Sequence, residues 1–276
     1  MKPIYEPSGM AREYSPLALN IYMECMHGCK YCYVPHVIHK TAEDYFKLPS
    51  PRKDIVKWLQ KQLSTSSFDR QVWLSFVSDP YSPSTDNNQT TSEVLNLLNQ
   101  YNVPVAICTK AGTRALKDLD VFKQFGQNII VGTTLTLIDE KMSKEWEKGA
   151  AMPQDRLEFL KILKQNGIKT HASFEPVIDI PQSQKLIEMT VADDIVAHYK
   201  VGKINNYKGM DIGKDWSSYL RQVLKILREG KKEIYLKSGI RKVVSGIEYL
   251  PHEIDPDFYA LRSQGVLDLF SNIKTG

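Results

Sequence analysis

Three of the chain's four cysteines lie within eight residues of one another. They are Cys25, Cys29 and Cys32, and they surround Gly28 in a short polar segment, while Cys108 is distant. Thiolates spaced in this way can bind one corner of an iron–sulfur cube, with each sulfur on a different iron. Because no fourth cysteine is nearby, one iron of a 4Fe–4S cluster held here would stay open to another ligand. Gly28 would let the segment bend tightly beside the cube.

Two alternatives to an iron–sulfur cluster remain open for the cysteine segment. A structural zinc ion held by the three cysteines and His36 is chemically reasonable. Zinc modules of this kind are usually small, however, and independent of a long α/β core. Unrelated buried thiols are the second alternative, since free cysteine often serves as a small core residue. Three cysteines in a polar segment that contains a glycine are not typical of a core, so an iron–sulfur cluster is the favoured hypothesis.

Length and composition exclude several classes of protein. The chain has 276 residues, of which 42% are hydrophobic and 25% charged, as in ordinary globular domains. A disordered chain, a collagen-like repeat and a disulfide-stapled miniprotein are therefore excluded. The sequence has no apolar stretch of about eighteen residues and no signal-peptide pattern, so we expect a cytoplasmic protein that does not enter a membrane. Clustered cysteines in a reducing compartment favour metal chemistry.

The elements that position these cysteines alternate along the chain. Short apolar runs are separated by amphipathic helical patterns with start and stop signals, such as Pro153 and Gly167. About six such alternations predict βαβ units and a parallel sheet, either closed as a barrel or open and doubly wound. The predicted strands are 17–23, 72–77, 103–109, 128–135, 169–175 and 197–204, with a short strand at 233–237 as a further candidate. The predicted helices are 51–63, 92–101, 113–125, 154–166, 181–192 and 215–229.

Polar side chains lie at the ends of several predicted strands. Active sites of parallel α/β folds lie at the carboxyl ends of the strands, so residues there are candidates, although Asp-Pro and Ser-Pro steps also start turns. An acceptor such as Asp79 can bind an ammonium group, and a lysine such as Lys110 can bind a carboxylate. The candidates are Ser78 and Asp79 after the second strand, Lys110 after the third, Thr133 and Thr134 in the fourth and Glu175 in the fifth.

The cysteine segment resembles the signature of radical S-adenosylmethionine (SAM) enzymes. The pattern Cys-x3-Cys-x2-Cys, with Tyr31 just before the last cysteine, carries this resemblance. The strings EYSPLALN at 13–20 and HGCKYCYVP at 27–35 are similar to the spore photoproduct lyase-like branch, also described as DNA repair photolyase-like. The resemblance extends from residue 5 to the sixth strand near residue 203.

The resemblance implies a fold and a set of cofactors. The fold would be α/β, a partial (β/α)6 barrel with an N-terminal arm over residues 1–205, followed by a basic C-terminal extension, 206–276, packed on the barrel. Cys25, Cys29 and Cys32 would hold a 4Fe–4S cluster whose open iron binds the amino and carboxylate groups of SAM. One electron, delivered by a flavodoxin or ferredoxin, would cleave SAM to a 5′-deoxyadenosyl radical, which would abstract hydrogen from the substrate.

The resemblance also implies roles for the residues at the strand ends. Ser78 and Asp79 would contact the ammonium group of SAM, and Lys110 would contact its carboxylate. Thr133 or Thr134 would place a hydroxyl on the ribose, although threonine is also a common strand former.

Three more residues complete the expected site. Tyr31 would pack near the adenine of SAM. Tyr33 would either assist the radical step or pack the cysteine segment. Glu175 would lie on the ribose side or the substrate side of the site. Lys200, Lys203 and Asn205 of the sixth strand are weaker candidates for the same two sides, by location only.

One position departs from the spore photoproduct lyases. Those enzymes have a cysteine just before the serine of the second-strand motif, and it returns a hydrogen atom to the product radical. Here that position is Val77, which has no transferable thiol hydrogen. Cys108 could supply such a thiol from the neighbouring strand, although an inert buried thiol is the plainer assignment. The resemblance therefore supports the cofactors and not the repair reaction itself.

The charge of the chain is unevenly distributed, which bears on the substrate. Residues 200–245 contain twelve Lys or Arg and four Asp or Glu, a net charge of +8, whereas the whole chain carries +4. A basic segment with interleaved Trp216, Tyr219 and Tyr235 can bind phosphates and stack bases. A solvated helix face with leucines on its inner side is the plainer assignment.

The sequence thus predicts a radical SAM enzyme that repairs or modifies a base of DNA or RNA, or a nucleotide. The first alternative keeps the radical chemistry and places it on a peptide or a small metabolite. The second alternative is a non-catalytic, zinc-binding nucleic-acid module.

Overall fold

Eight strands form one open sheet in the computed structural model of the chain, which describes residues 2–204, 207 and 213–263. The strands lie side by side in chain order; β1 is antiparallel to β2, and all later neighbours are parallel. The predicted α/β fold with a parallel sheet is thus confirmed. The strands are β1 (Ile4–Tyr5), β2 (Leu17–Leu19), β3 (Val72–Leu74), β4 (Val105–Cys108), β5 (Ile129–Thr134), β6 (Lys169–Val177), β7 (His198–Lys203) and β8 (Glu233–Leu236).

Helices connect the parallel strands. Three 3-10 helices occupy Gly9–Glu13, Gly112–Asp118 and Gly126–Asn128 in the described part of the chain. The α-helices there are α1 (Val34–Val37), α2 (Ala42–Tyr45), α3 (Ile55–Leu63), α4 (Gln89–Gln100), α5 (Leu119–Gln124), α6 (Glu140–Trp146), α7 (Pro153–Gln165), α8 (Ile180–Ala192), α9 (Trp216–Glu229), α10 (Ser238–Arg241) and α11 (Pro251–Ile254). No helix among these residues is both long and apolar enough to cross a bilayer.

Side chains alternate between the two faces of the sheet, as the period of a strand requires. On β3, Val72 and Leu74 join the large core that packs against the helices. Trp73, between them, joins a separate cluster on the opposite, inner face with Ala18 and Ala106. The helix-covered face therefore supplies most of the buried apolar core, and the inner face is left for other groups.

The inner face becomes polar in the later strands. On β6, Ala172 and Phe174 pack in the helix-side core, so His171 and Ser173 lie on the other face, and both are buried. Lys200 of β7 is also buried there, next to the rings of Tyr14 and Trp73. The later strands are therefore apolar on one face only, and the inner surface of the sheet carries the groups capable of chemistry.

The predicted boundary between residues 205 and 206 falls outside the described residues, as does Asn205, a weaker candidate of the sixth strand. On the two sides of that boundary, β7 and β8 pair in the same sheet and α8 packs against α9. The sheet therefore has a seventh parallel strand beyond the six that the resemblance implied. Near the end of the described chain, the Gln71 amide donates to the Leu261 carbonyl at 2.9 Å.

Candidate active site

A cavity of about 400 Å3 lies at the carboxyl ends of the parallel strands, within the usual size range of ligand pockets. The cysteine segment, residues 25–32, forms one of its walls. Ten of the eleven residues predicted for the site line the cavity. They are Cys25, Cys29, Tyr31, Cys32, Tyr33, Ser78, Asp79, Lys110, Thr134 and Glu175.

The remaining predicted residue, Thr133, is fully buried and does not lie on the cavity wall. Thr134 follows it on β5, and successive residues of a strand point to opposite faces. Only Thr134 reaches the inner face, where its hydroxyl is 3.5 Å from the Cys108 sulfur. Of the two threonines that the sequence left as alternatives, the structure brings only Thr134 to the site.

The cysteine segment bends back on itself at Gly28, whose φ is 58°, a left-handed conformation that suits glycine. The Cys32 amide then donates to the Cys29 carbonyl at 3.1 Å. Burial raises the pKa of Cys25 to about 11 and that of Cys29 to about 12. The thiols are therefore protonated in the free chain, and ligation would exchange these protons for metal ions.

Asp79 is held by several donors of the protein. One carboxylate oxygen accepts from the Thr109 hydroxyl at 2.6 Å and from the Tyr81 amide at 2.9 Å. The other accepts from the Lys110 amide at 2.7 Å and lies 3.4 Å from the His27 ring. Asp79 thus ties the β3 and β4 ends to the cysteine segment. These bonds give Asp79 a positioning role in the free chain, and its contact with an ammonium group stays a prediction.

The Lys110 side chain lines the cavity, and its ammonium group has no hydrogen bond or ion pair with any residue that the structure describes. The nitrogen lies 5.7 Å from the centroid of the Tyr31 ring. Burial opposes the charge, but Cys29 and Glu147 nearby raise the pKa of Lys110 above its ordinary value. Lys110 therefore presents a positive charge to the cavity, where an anionic group could bind it.

Glu147 and Arg156 form a buried ion pair behind this wall, which sequence reasoning missed. Each is 1% exposed, and the guanidinium lies 2.6 Å from the carboxylate. The Tyr31 hydroxyl also donates to Glu147. Neither charged residue follows a strand: Glu147 comes directly after α6 and Arg156 lies on α7. No sequence signal of the kind used for the strand ends marks them.

A sequence model of the Radical SAM superfamily matches residues 19–191, which is more than half of the chain. The chain belongs to the radical SAM superfamily. Among curated proteins, one from Methanocaldococcus jannaschii, itself uncharacterised, is 27% identical over 164 residues, covering 58% of this chain and 60% of that protein. Another uncharacterised protein, from Acidianus two-tailed virus, is 25% identical over 249 residues, covering 83% of this chain and 80% of its own.

Solved radical SAM enzymes have the same fold. A spore photoproduct lyase variant matches with a TM-score of 0.60 and 10% identity, covering 85% of this chain and 86% of that chain. Streptococcus suis SuiB bound to S-adenosylmethionine matches with a TM-score of 0.56 and 13% identity, covering 84% of this chain. At these identities the likeness concerns the fold. The chain spans 60% of the archaeal relative's length and half of SuiB.

The donor set fits the cluster that the radical SAM superfamily implies. Three thiols of one segment line one cavity, whereas no three His, Cys, Asp or Glu side chains in the described ranges are grouped to hold a single metal ion. In a 4Fe–4S cluster each cysteine sulfur binds a different iron, so the three thiols need not converge on a single ion. His36, the fourth ligand of the zinc hypothesis, is exposed on α1 and does not line the cavity.

The wall shared by β6 and β8 combines charged and aromatic groups. The Tyr14 hydroxyl donates to Glu175 and shares a hydrogen bond of 3.1 Å with Ser173. Lys237, only 3% exposed, lies 3.0 Å from the same Glu175 carboxylate. The Tyr14 ring is 5.0 Å from that of Trp73. Sequence reasoning missed Tyr14 because it precedes β2 and lies at no strand's carboxyl end.

Val77, which stands where the spore photoproduct lyases have their hydrogen-donating cysteine, and Cys108 differ in placement. Val77 packs beside Cys25, Val34 and Tyr45 and does not line the cavity. Cys108 does line it, at the end of β4. A thiol is thus present on the cavity wall, on β4, the neighbour of the strand β3 that Val77 follows.

Proposed function

We propose that this chain is an enzyme that binds a 4Fe–4S cluster and S-adenosylmethionine in the cavity and generates a substrate radical there. The observation that carries the proposal is the meeting of three cysteines of one segment with the unpaired ammonium of Lys110 in a single cavity within the described part of the chain. When bound, the two cofactors together supply a 5′-deoxyadenosyl radical for hydrogen abstraction. An electron donor of the flavodoxin or ferredoxin type would provide the reducing electron.

The protein's own residues bind and orient these cofactors. Cys25, Cys29 and Cys32 would ligate three irons through their sulfurs. Lys110 would bind the carboxylate of SAM by a charge-assisted hydrogen bond. Thr134, whose side chain reaches the inner face, is the candidate for the ribose. Cys25, Cys29 and Thr134 are buried, and the low local dielectric there would strengthen electrostatic interactions with the cofactors.

The proposed substrate is a nucleobase, within a nucleic acid or as a nucleotide. The rings of Trp73 and Phe76 are stacked, 5.7 Å apart and 13° from parallel, and both line the cavity beside Tyr14. Trp73 is only 4% exposed and packs behind the half-buried Phe76, whose ring can stack against a base. Glu175 and Ser173 lie on the same wall and carry hydrogen-bonding groups that can contact a base edge. A solved spore photoproduct lyase, similar in fold, is complexed with a dinucleoside photoproduct.

The basic C-terminal segment adds little to this proposal. Lys237 and Lys200, two of its cations, are buried. Other cations are bound by the protein itself: Lys214 by the Ile178 carbonyl, Arg221 by the Gly246 carbonyl, Arg228 by Glu253 and Lys232 by Asp194. On α9, Leu220, Leu224 and Leu227 are buried and Lys225 is exposed. The segment matches a solvated helix face better than a phosphate-binding track, so the cavity carries the substrate proposal.

Anaerobic reconstitution with iron and sulfide tests the cofactor proposal. We expect a 4Fe–4S absorption band, a change in the electron paramagnetic resonance spectrum when SAM is added, and 5′-deoxyadenosine formation on reduction. Cys25→Ala, Cys29→Ala and Cys32→Ala should each abolish that formation, whereas Cys108→Ala should still take up the cluster. Full 5′-deoxyadenosine formation in any of the first three variants, or a stoichiometric redox-silent zinc in the wild type, would overturn the proposal.

Isotope transfer tests the substrate. Deuterated nucleotides, oligonucleotides and peptides are incubated separately with the reduced enzyme, and deuterium in 5′-deoxyadenosine is measured by mass spectrometry. Transfer from a nucleotide or oligonucleotide is expected. Transfer only from a peptide would support the alternative, for which SuiB, solved with its precursor peptide SuiA, is the precedent.

A further inference from the structure

The cysteine segment pairs with the last residue of α6 and the chain that follows it. We call residues 146–151 the support segment. The Lys30 amide donates to the Trp146 carbonyl, and the Gly149 amide donates to the His27 carbonyl, both at 2.8 Å. Between these bonds, Cys29 and Glu147 form an antiparallel bridge. The support segment thus holds the backbone of one cluster ligand directly.

Gly149 allows this close approach. A Cβ atom at that position would lie 2.3 Å from the Met26 carbonyl oxygen, far inside van der Waals contact. No rearrangement of a flexible side chain could relieve this clash, because the obstructing atom belongs to the backbone. The two segments can therefore lie this close only with glycine at position 149.

The support segment is also bonded to the strand end that carries Lys110. The Ala151 amide donates to the Lys110 carbonyl at 2.8 Å. The Ala151 carbonyl in turn accepts from Arg156 Nε at 2.8 Å. One short stretch of chain therefore connects a cluster ligand at one end with the cavity's cationic lysine at the other.

The Glu147 carboxylate lies at the centre of this connection. It pairs with Arg156 and accepts from the Tyr31 hydroxyl, while Arg156 Nη1 donates to the Thr134 carbonyl at 3.0 Å. Burial opposes its charge, but Arg156 and Lys110 hold the pKa of Glu147 below its ordinary value. A buried ion pair often adds no net stability over apolar residues of similar size. Its presence beside four cavity residues therefore suggests a task other than stability.

We infer that Glu147 is a second positioning residue of this site, beside Asp79: through Tyr31, Arg156 and the backbone of Cys29, it fixes the cysteine segment relative to Lys110 and Thr134. This inference rests on the proposed function. The groups proposed to bind the cluster, the carboxylate and the ribose would then keep a constant spacing before either cofactor arrives. Loss of the carboxylate should loosen that spacing while the sheet stays folded.

The test compares Glu147→Gln with Glu145→Gln in the full chain. Gln keeps the size of Glu147 but removes its charge. Glu145 is a matched control, since it lies two residues away on α6 and pairs at the surface with Lys30 of the same cysteine segment, at 2.7 Å. Hydrogen exchange measures how fast the Lys30 and Gly149 amides exchange with solvent. Equilibrium dialysis of the anaerobically reconstituted protein measures SAM affinity. Exchange is measured before reconstitution, so its outcome does not depend on cluster uptake.

We expect Glu147→Gln to speed exchange of the Lys30 and Gly149 amides by about tenfold or more, with amides of β4 and β5 unchanged. SAM affinity should fall by about tenfold, and Glu145→Gln should stay within about twofold of wild type in both measurements. If Glu147→Gln does not fold, two other variants replace it. One is Glu147→Asp, which keeps the charge. The other is the neutral pair, a double variant that carries Glu147→Gln together with Arg156→Gln. Glu147→Asp should then recover at least half of the protection and affinity that the neutral pair loses.

Two results would overturn the inference. One is wild-type exchange and SAM affinity in Glu147→Gln. The other is faster exchange spread evenly over the whole sheet, which would show that Glu147 acts on global stability alone. Failure of the chain to take up a cluster would refute the proposed function but would leave the exchange result to decide on Glu147.

Discussion

Replacement of Lys110 by methionine should weaken SAM binding without disturbing the fold. Methionine keeps most of the apolar stem of the lysine and removes the ammonium group. That group makes no hydrogen bond or ion pair within the part of the chain that the structure describes. The substitution therefore leaves no buried partner unsatisfied there, and it removes the approach of the ammonium to the Tyr31 ring at 5.7 Å.

The size of the effect follows from the bond that Lys110 would make. A hydrogen bond involving a charged group contributes about 1.5 to 3 kcal/mol, and about 1.4 kcal/mol corresponds to a tenfold change in affinity. The dissociation constant of SAM should therefore rise by about 10- to 150-fold. The free energy of unfolding should change by less than about 1 kcal/mol, the scale of a cation–π contact.

Equilibrium dialysis of labelled SAM against the reconstituted, oxygen-free protein measures this change. Iron and sulfide are quantified in the same samples, so that cluster loss is not mistaken for weaker binding. Lys117→Met is the control, since the Lys117 ammonium bonds the Asn87 carbonyl at the surface, away from the cavity. A fully loaded Lys110→Met protein that binds SAM within about twofold of wild type would remove Lys110 from the site.

Two further predictions concern stability and cluster uptake. Burial lowers the pKa of His171 to about 3, and it lowers that of His198 well below its ordinary value. The unfolded chain protonates these rings near pH 6.5, whereas the folded chain keeps them neutral. Their contribution to the free energy of unfolding is therefore fully present above that pH. It falls towards pH 3, by up to about 1.4 kcal/mol per histidine per pH unit. Urea unfolding at pH 7.5 and at pH 5 should show this loss in the free energy of unfolding. His171→Gln should reduce the loss, whereas His36→Gln, at an exposed position, should not. An equal loss between the two pH values in wild type and both variants would contradict the assignment. Gly149→Ala should destabilise the chain by about 1 to 3 kcal/mol, because its Cβ would collide with the Met26 backbone. Iron and sulfide analysis should show reduced cluster uptake in this variant, and normal uptake with normal stability would refute the close contact.

The strands could be predicted from sequence because their signal is local. Each predicted strand overlaps an observed one, since runs such as that of β5 are buried along their whole length. The ends of those strands and the cysteine segment supplied eleven predicted site residues, of which ten line the cavity. Thr133 was the exception, because the sequence did not show which of two adjacent threonines on β5 faces the cavity.

The helices were harder where their stabilising contacts are not local. One helix was predicted over 113–125, whereas the chain forms a 3-10 helix and then α5. At the junction, Asp118 is buried and accepts from Tyr81 and Ser92, contacts that no local pattern reveals. Helix α6 was missed because it has only seven residues, of which Met142 and Trp146 alone are apolar. Its Asp139 cap, which accepts from the Met142 amide, was a usable signal.

The buried network behind the cysteines could not be predicted from sequence at all. Tyr31 is 116 residues from Glu147 in the chain, and Glu147 meets Arg156 only because of the turn between α6 and α7. A buried charge also has no pattern that distinguishes it from an exposed one. Such residues become visible only when burial and contacts are known.

The N-terminal 3-10 helix, Gly9–Glu13, has a further consequence for how this architecture can diversify. It belongs to no strand, yet Met10 and Ala11 line the cavity, and Glu13 fastens the helix to the amide of Ser238 just past β8. Insertions or deletions here would reshape this part of the cavity wall without shifting any strand register. Relatives that accept larger or smaller molecules can therefore differ in this one turn while keeping the same sheet and cysteine segment.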